Sequence, residues 1–200
     1  MSAIAKRRGN RRLLGPRDWL AVARAELIAG GISAVKVDKL ARRLRVTRGS
    51  FYWHFKSHAQ LLRDLLKSWE ESNTAPFERA AAQGSQGSTP DDFRRLVNIW
   101  VDENDYSAAF DTAVRDWARF SREAAQAVHR TDDRRIAILH GIFTGLGYGE
   151  PEALVRARIT YFQQVGYYAL EFREDPQRRR ELVSVYVQVL LGPMHSPRRK

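Results

Sequence analysis

The 200-residue sequence predicts an all-α fold of about nine helices, an N-terminal three-helix segment followed by a longer helical body. Three observations carry that reading. Apolar residues recur at spacings of three and four between helix start and stop signals, with no strand-like alternation. The formal net charge of +11 lies at one end: residues 1–56 hold 14 Lys and Arg against 3 Asp and Glu, while residues 57–200 hold 20 of each. Within that basic end, Val37 to Phe55 has the pattern of a helix-turn-helix.

Residues 1–14 read as a disordered basic arm and 15–56 as the helix-turn-helix domain. Helix 1 is expected from Pro16 to Gly30-Gly31, with proline in the first turn and glycine at the stop, and Trp19, Leu20, Ala23, Leu27 and Ile28 as its apolar face. Helix 2 follows from Val37 to Leu44, with Val37, Leu40, Ala41 and Leu44 on one side. Helix 3 is expected from Arg48 to Phe55 with Thr47 as its cap, leaving only Arg45-Val46-Thr47 between the two. Ser57-His58-Ala59-Gln60 has the spacing of a capping box, so helix 4 starts there and carries Leu61, Leu62, Leu65, Leu66 and Trp69.

Residues 57–192 read as one helical body. The small, polar run from Ala80 to Ser88 reads as a flexible loop. Thr89-Pro90-Asp91-Asp92 restarts the chain as helix 5 with Phe93, Leu96, Val97 and Trp100, its carboxylates at the positive end of the helix dipole. Helices over about 106–119 and 122–146 follow. Pro151 and Pro176 each open another, near 151–173 and 176–191, and Gly192-Pro193 stops the last before a basic tail at 193–200.

Composition excludes several classes. Without cysteine there are no disulfides and no thiolate metal sites. Arg17, Asp18, Arg24 and Glu26 interrupt any signal-peptide run, and no stretch of about 18 apolar residues could span a membrane, so a cytoplasmic location is expected. His54 and His58 sit four apart, but the helix break expected at Ser57 spoils a metal-binding register, so no metal is assigned. Gly145-Leu146-Gly147-Tyr148-Gly149 lacks the preceding strand and following lysine of a phosphate loop. No acid is paired with a histidine or serine in a catalytic pattern, so no catalytic residue and no cofactor is expected, and the chain does not read as an enzyme.

The basic end instead suits double-stranded DNA. Gly49 and Ser50 allow the helix 3 start to approach a groove closely, Arg48 can reach a guanine edge or a phosphate, and Tyr52, Trp53 and His54 can all donate to phosphate oxygens. Phe51 and Phe55 are expected in the core. Lys36, Lys39, Arg45, Thr47, Lys56 and His58 complete the candidate DNA-binding set. In the neutral body, Trp100, Tyr106, Phe110, Trp117, Phe143, Tyr161 and Tyr168, with His140 and Gln164 as orienting polar groups, are candidates to line a pocket for a small apolar effector.

Gly31, Val37, Leu40-Ala41, Leu44, the string Val46-Thr47-Arg48-Gly49-Ser50-Phe51-Tyr52-Trp53-His54-Phe55, and Leu61-Leu62 together resemble the TetR family of transcriptional regulators over about the first 70 residues. Ala113-Val114-Arg115-Asp116-Trp117-Ala118, then Asp133-Arg134-Arg135 and Phe143 to Gly147, look like one subgroup's ligand-domain pattern. Two positions depart from the family: His58 and Ala59 stand where a lysine and often an acid begin helix 4, and Lys36 stands where a capping hydroxyl is usual.

The resemblance implies a ligand-responsive repressor that binds a palindromic operator as a homodimer, with residues 57–192 as the ligand-binding and dimerisation domain. The dimer would form through the last two helices, where Val155, Ile159, Phe162, Gly166 and Ala169, and Leu182, Val185, Tyr186, Val189 and Leu190, fall on stripes. The competing reading is a protein that neutralises phosphates on any nucleic acid without sequence preference.

Overall fold

A helix needs no N–H in its first turn, and the first helix, α1 (Pro16–Gly30), begins on a proline. The computed structural model describes residues 14–83, 88–172 and 174–192. The expected basic arm, apart from Leu14, and the basic tail lie outside these residues. By its contacts the chain forms two compact units, Met1–Leu65 and Leu66–Lys200.

In the first unit, Gly31 leaves α1 at a φ of 66°, a conformation only glycine adopts without strain, and a 3₁₀ turn at Ile32–Ala34 leads into α2 (Val37–Leu44). Lys36 occupies the cap of α2 without a side-chain bond, as its lack of a hydroxyl requires, and burial of Val37, Leu40 and Ala41 anchors the helix. Helix α2 closes on Arg45 in the left-handed region (φ 55°, ψ 42°), with the Val46 N–H returning to the Ala41 carbonyl at 3.0 Å.

The next helix, α3, is shorter than expected: Arg48–Phe51, followed by turns through His54. Its last bonds tighten to three-residue spacing, Tyr52 N–H to Gly49 O at 3.1 Å and His54 N–H to Phe51 O at 3.0 Å, as Phe51 and Phe55 both turn inward. Thr47 holds the extended cap geometry, but its hydroxyl makes no capping bond. Phe51 stacks on Phe55 at 5.3 Å and meets Trp19 edge-on at 5.3 Å, so the turn is pinned to α1 by aromatic packing.

The fourth helix, α4 (His58–Ala82), begins in this unit. Ser57 accepts the Gln60 N–H at 3.2 Å as a capping box requires, but the Gln60 side chain reaches one residue beyond the expected partner, to the Lys56 N–H at 2.8 Å. The helix continues through Ala80–Ala82, which corrects the loop expected from Ala80. Ala80 is buried in the second core, and Pro76 sits inside the helix. Residues 84–87 of that loop lie outside the described residues.

The second unit holds the rest of α4 with α5 (Pro90–Asp102), α6 (Ala108–Ala118), α7 (Arg122–Gly145), α8 (Glu152–Ala169) and α9 (Pro176–Leu191). Their starts follow side-chain caps: Thr89 to the Asp92 N–H, Ser107 to Phe110, Ser121 to Ala124, and Asp175 to Gln177 and Arg178. Ser107 starts α6 two residues after the expected 106, and Pro151 caps α8 from outside its first turn. The core gathers Phe77, Phe93, Trp100, Tyr106, Phe143 and Tyr161 with aliphatic residues of α5, α7, α8 and α9.

Candidate nucleic-acid interface

Three of the expected contact residues stand out in solvent on and just after α3: Arg48, Tyr52 and Trp53, the indole 88% exposed. Trp53 contributes little to packing there and is free to meet a partner. Gly49 and Thr47 are exposed beside them, Ser50 and His54 are half-buried, and Lys36, Arg45 and Lys56 are exposed cations on the flanking segments. Arg48 also donates from Nη1 to Asp38 Oδ2 at 3.3 Å. The Tyr52 hydroxyl first, and Asp38 second, hold its guanidinium above the ordinary arginine range.

Two expected contacts are committed elsewhere. Lys39 Nζ lies 2.5 Å from Glu26 Oε2, and Arg43 Nε lies 2.6 Å from Glu26 Oε1, so the buried Glu26 of α1 clamps α2 through two cations. The hydrogen bond from Lys39, with the Arg43 charge beside it, keeps the Glu26 carboxyl below its ordinary value against the opposing effect of burial. His58 turns toward the unit's interior, its Nε2 2.7 Å from the Val35 carbonyl, which leaves only its other ring nitrogen for any outside partner.

In the second unit, most of the nine residues expected to line a pocket lie in or against the core. Trp100, Tyr106, Phe143 and Tyr161 share the core with Tyr168 against it, and Phe110 and Trp117 are buried. Tyr168 donates to the Trp100 carbonyl at 2.8 Å, His140 pairs with Glu150, and Gln164 contacts Gln163 and Arg179. Three clefts of this unit have volumes of about 270, 320 and 390 Å³. Polar residues such as Arg79, Asn98, Asp102, Arg130 and Arg134 dominate their walls, and none of the nine contributes.

Deep between α4, α6, α7 and α8 lies a charge network the sequence did not announce. Asp111 Oδ1 accepts from Trp69 Nε1 at 3.2 Å and from Arg135 Nη1 at 2.9 Å, and its Oδ2 accepts from Arg115 Nε at 2.9 Å. Arg115 also grips Asp132 through both terminal nitrogens, at 3.1 and 2.6 Å, and the Tyr161 hydroxyl at 2.8 Å. Burial alone would raise the Asp111 carboxyl; the charges of Arg135 and Arg115 outweigh it and hold Asp111 low.

The stripes on α8 and α9 face solvent in the single chain. Val155, Ile159 and Phe162 (58% exposed) line one helix, and Val185, Tyr186 and Val189 (70% exposed) the other. Ala169 is also exposed, whereas Gly166, Leu182 and Leu190 are half-buried.

Residues 20–65, which span α1 to the start of α4, match the family described as bacterial regulatory proteins, tetR family. That match places this segment in the tetR family. No curated protein sequence matches it. Solved structures similar in fold over most of the chain include a transcriptional regulator from Rhodococcus sp. RHA1, with a TM-score of 0.68 and 16% identity, covering 89% of this chain and 96% of its own. A TetR/AcrR-family regulator from Thermobifida fusca gives 0.63 at 17%, covering 90% and 98%. A ketosteroid transcriptional regulator from Mycobacterium tuberculosis gives 0.62 at 17%, covering 90% and 95%.

TetR-family regulators are DNA-binding transcription factors and not enzymes, in line with the expectation for this chain. Among the described residues no helix is long and apolar enough to cross a membrane. Within the tetR-family segment the sequence reading overlooked Asp38, Glu26 and Arg43, because their significance lies in partners ten or more residues away.

Proposed function

We propose that this tetR-family protein is a repressor that binds a palindromic operator as a homodimer and is released by a small effector. The observation that carries the reading is the exposed set Arg48, Tyr52 and Trp53 on a helix-turn-helix whose core is closed by Trp19, Phe51 and Phe55. A rigid platform presenting a guanidinium, a phenol and an indole is suited to base reading and phosphate positioning together. The apolar stripes of α8 and α9 support a homodimer: six large apolar side chains exposed on two helices of one unit are more than scattered surface residues explain. The polar clefts of the second unit favour a small polar effector over the apolar one the aromatics suggested.

The test is fluorescence anisotropy on labelled fragments flanking the protein's own coding region, against a shuffled control, at two salt concentrations. A regulator binds one fragment about a thousandfold more tightly than the control. Equal binding to every fragment, with a steep salt dependence, would favour the sequence-independent reading instead. Effector response is tested by screening small polar compounds for release of the bound fragment.

A further inference from the structure

The basic unit keeps a carboxylate where simple phosphate attraction would exclude one. Asp38, near the start of α2, lies 3.3 Å from Arg48 at the start of α3, and both side chains are more than 60% exposed (63% and 61%). A unit designed only to neutralise DNA gains nothing from that acid, which repels phosphates and cancels one cation. We propose that Asp38 is a specificity-determining residue: it positions Arg48 for a base edge and bars it from the phosphate backbone.

This rests on the DNA-binding reading above. An arginine on a flexible stem meets phosphates more easily than bases, because phosphates flank every groove position. A neighbouring carboxylate changes that balance in two ways. It restrains the guanidinium fork, reducing the freedom that base recognition would have to remove. It also makes any phosphate approaching Arg48 approach a negative charge as well, whereas the O6 and N7 acceptors of guanine carry no net charge. An exposed ion pair is weak in water, so a guanine can still compete for Arg48.

The experiment starts by selecting the wild-type chain's preferred duplex from a randomised pool. Binding of wild type, D38N, R48A and the double variant is then measured by anisotropy on the selected and a shuffled duplex at several salt concentrations, with thermal melts to verify folding. The expected result is that D38N tightens the shuffled duplex about threefold and lowers the selected-to-shuffled ratio about tenfold. Its salt slope on shuffled DNA steepens by about 0.9, one phosphate gained. In the R48A background, D38N leaves the ratio unchanged.

A D38N variant that shifts both duplexes by one common factor, or neither, overturns the proposal, as does an unchanged D38N ratio beside a wild-type consensus. A wild-type chain that selects no sequence overturns the regulator reading itself. If D38N proves unfolded, D38S is measured in its place and the same criteria decide.

Discussion

Arg135 donates from Nη1 to Asp111 Oδ1 at 2.9 Å with both side chains buried, and the partly exposed Arg115 links the same carboxylate to Asp132. The Arg135 guanidinium also lies 5.6 to 5.7 Å from the rings of Trp69, Phe77 and Tyr106. A buried pair of this kind adds little net stability over a well-packed apolar pair, but removal of one member strands the other charge. Asp111→Ala is therefore expected to destabilise the second unit by about 3–5 kcal/mol, read as a lower urea midpoint.

Protonation acts on the same pair. Asp111 is held below its ordinary value in the folded chain, so the unfolded chain binds the proton more readily. The stability it contributes is complete above the unfolded carboxylate value of about 3.9 and is lost as pH falls through the lower folded value. Glu26 is depressed likewise and adds to the same slope. Urea unfolding from pH 6 to pH 3 is expected to show stability falling with pH, less steeply in Glu26→Gln than in wild type.

Lys39 and Lys56 are both basic residues of the first unit, but they are expected to behave differently. Lys39 is tied to buried Glu26, so Lys39→Ala lowers the melting temperature and leaves the salt dependence of DNA binding nearly unchanged. Lys56 is exposed, so Lys56→Ala leaves the melting temperature unchanged and lowers the salt slope by about 0.9. Paired melts and salt titrations distinguish them.

Trp53 has most of its indole in water, so Trp53→Ala is expected to change stability by less than about 0.5 kcal/mol. Its effect belongs to DNA: anisotropy on all duplexes should weaken together, with the selected-to-shuffled ratio retained.

Phe162→Asp and Val189→Asp place charges on the exposed stripes of α8 and α9. Light scattering after size-exclusion chromatography is expected to fall from twice 23.0 kDa to 23.0 kDa while the circular dichroism spectrum is kept. A wild-type chain that elutes at 23.0 kDa would refute the dimer.

The first unit was legible in the sequence wherever a local rule decided the structure. Pro16, Gly31 and the Val37, Leu40, Ala41 spacing set the bounds of α1 and α2 because each acts through its own backbone or its own helix face. The end of α3 was not legible, because inward packing of Phe51 and Phe55 against α1 overrides the local pattern. Ala80–Ala82 were misread since alanine is small but also the best helix former, and burial of Ala80 decides the matter. Apart from the Arg115–Asp111 pair, four residues apart on α6, the clamp on Glu26 and the network around Asp111 depend on pairings 13 to 46 residues apart, which a short window on the sequence does not contain.

Arg45 leaves α2 at φ 55°, where glycine would sit without strain and arginine sits at a penalty of about 1 kcal/mol. A thermal screen or a design program aimed at robustness would therefore favour Arg45→Gly, and the variant would register as an improvement. The same change removes an exposed cation from the turn between α2 and α3. Optimising this chain for endurance alone would thus erode its grip on a polyanion first at the position where the gain looks safest.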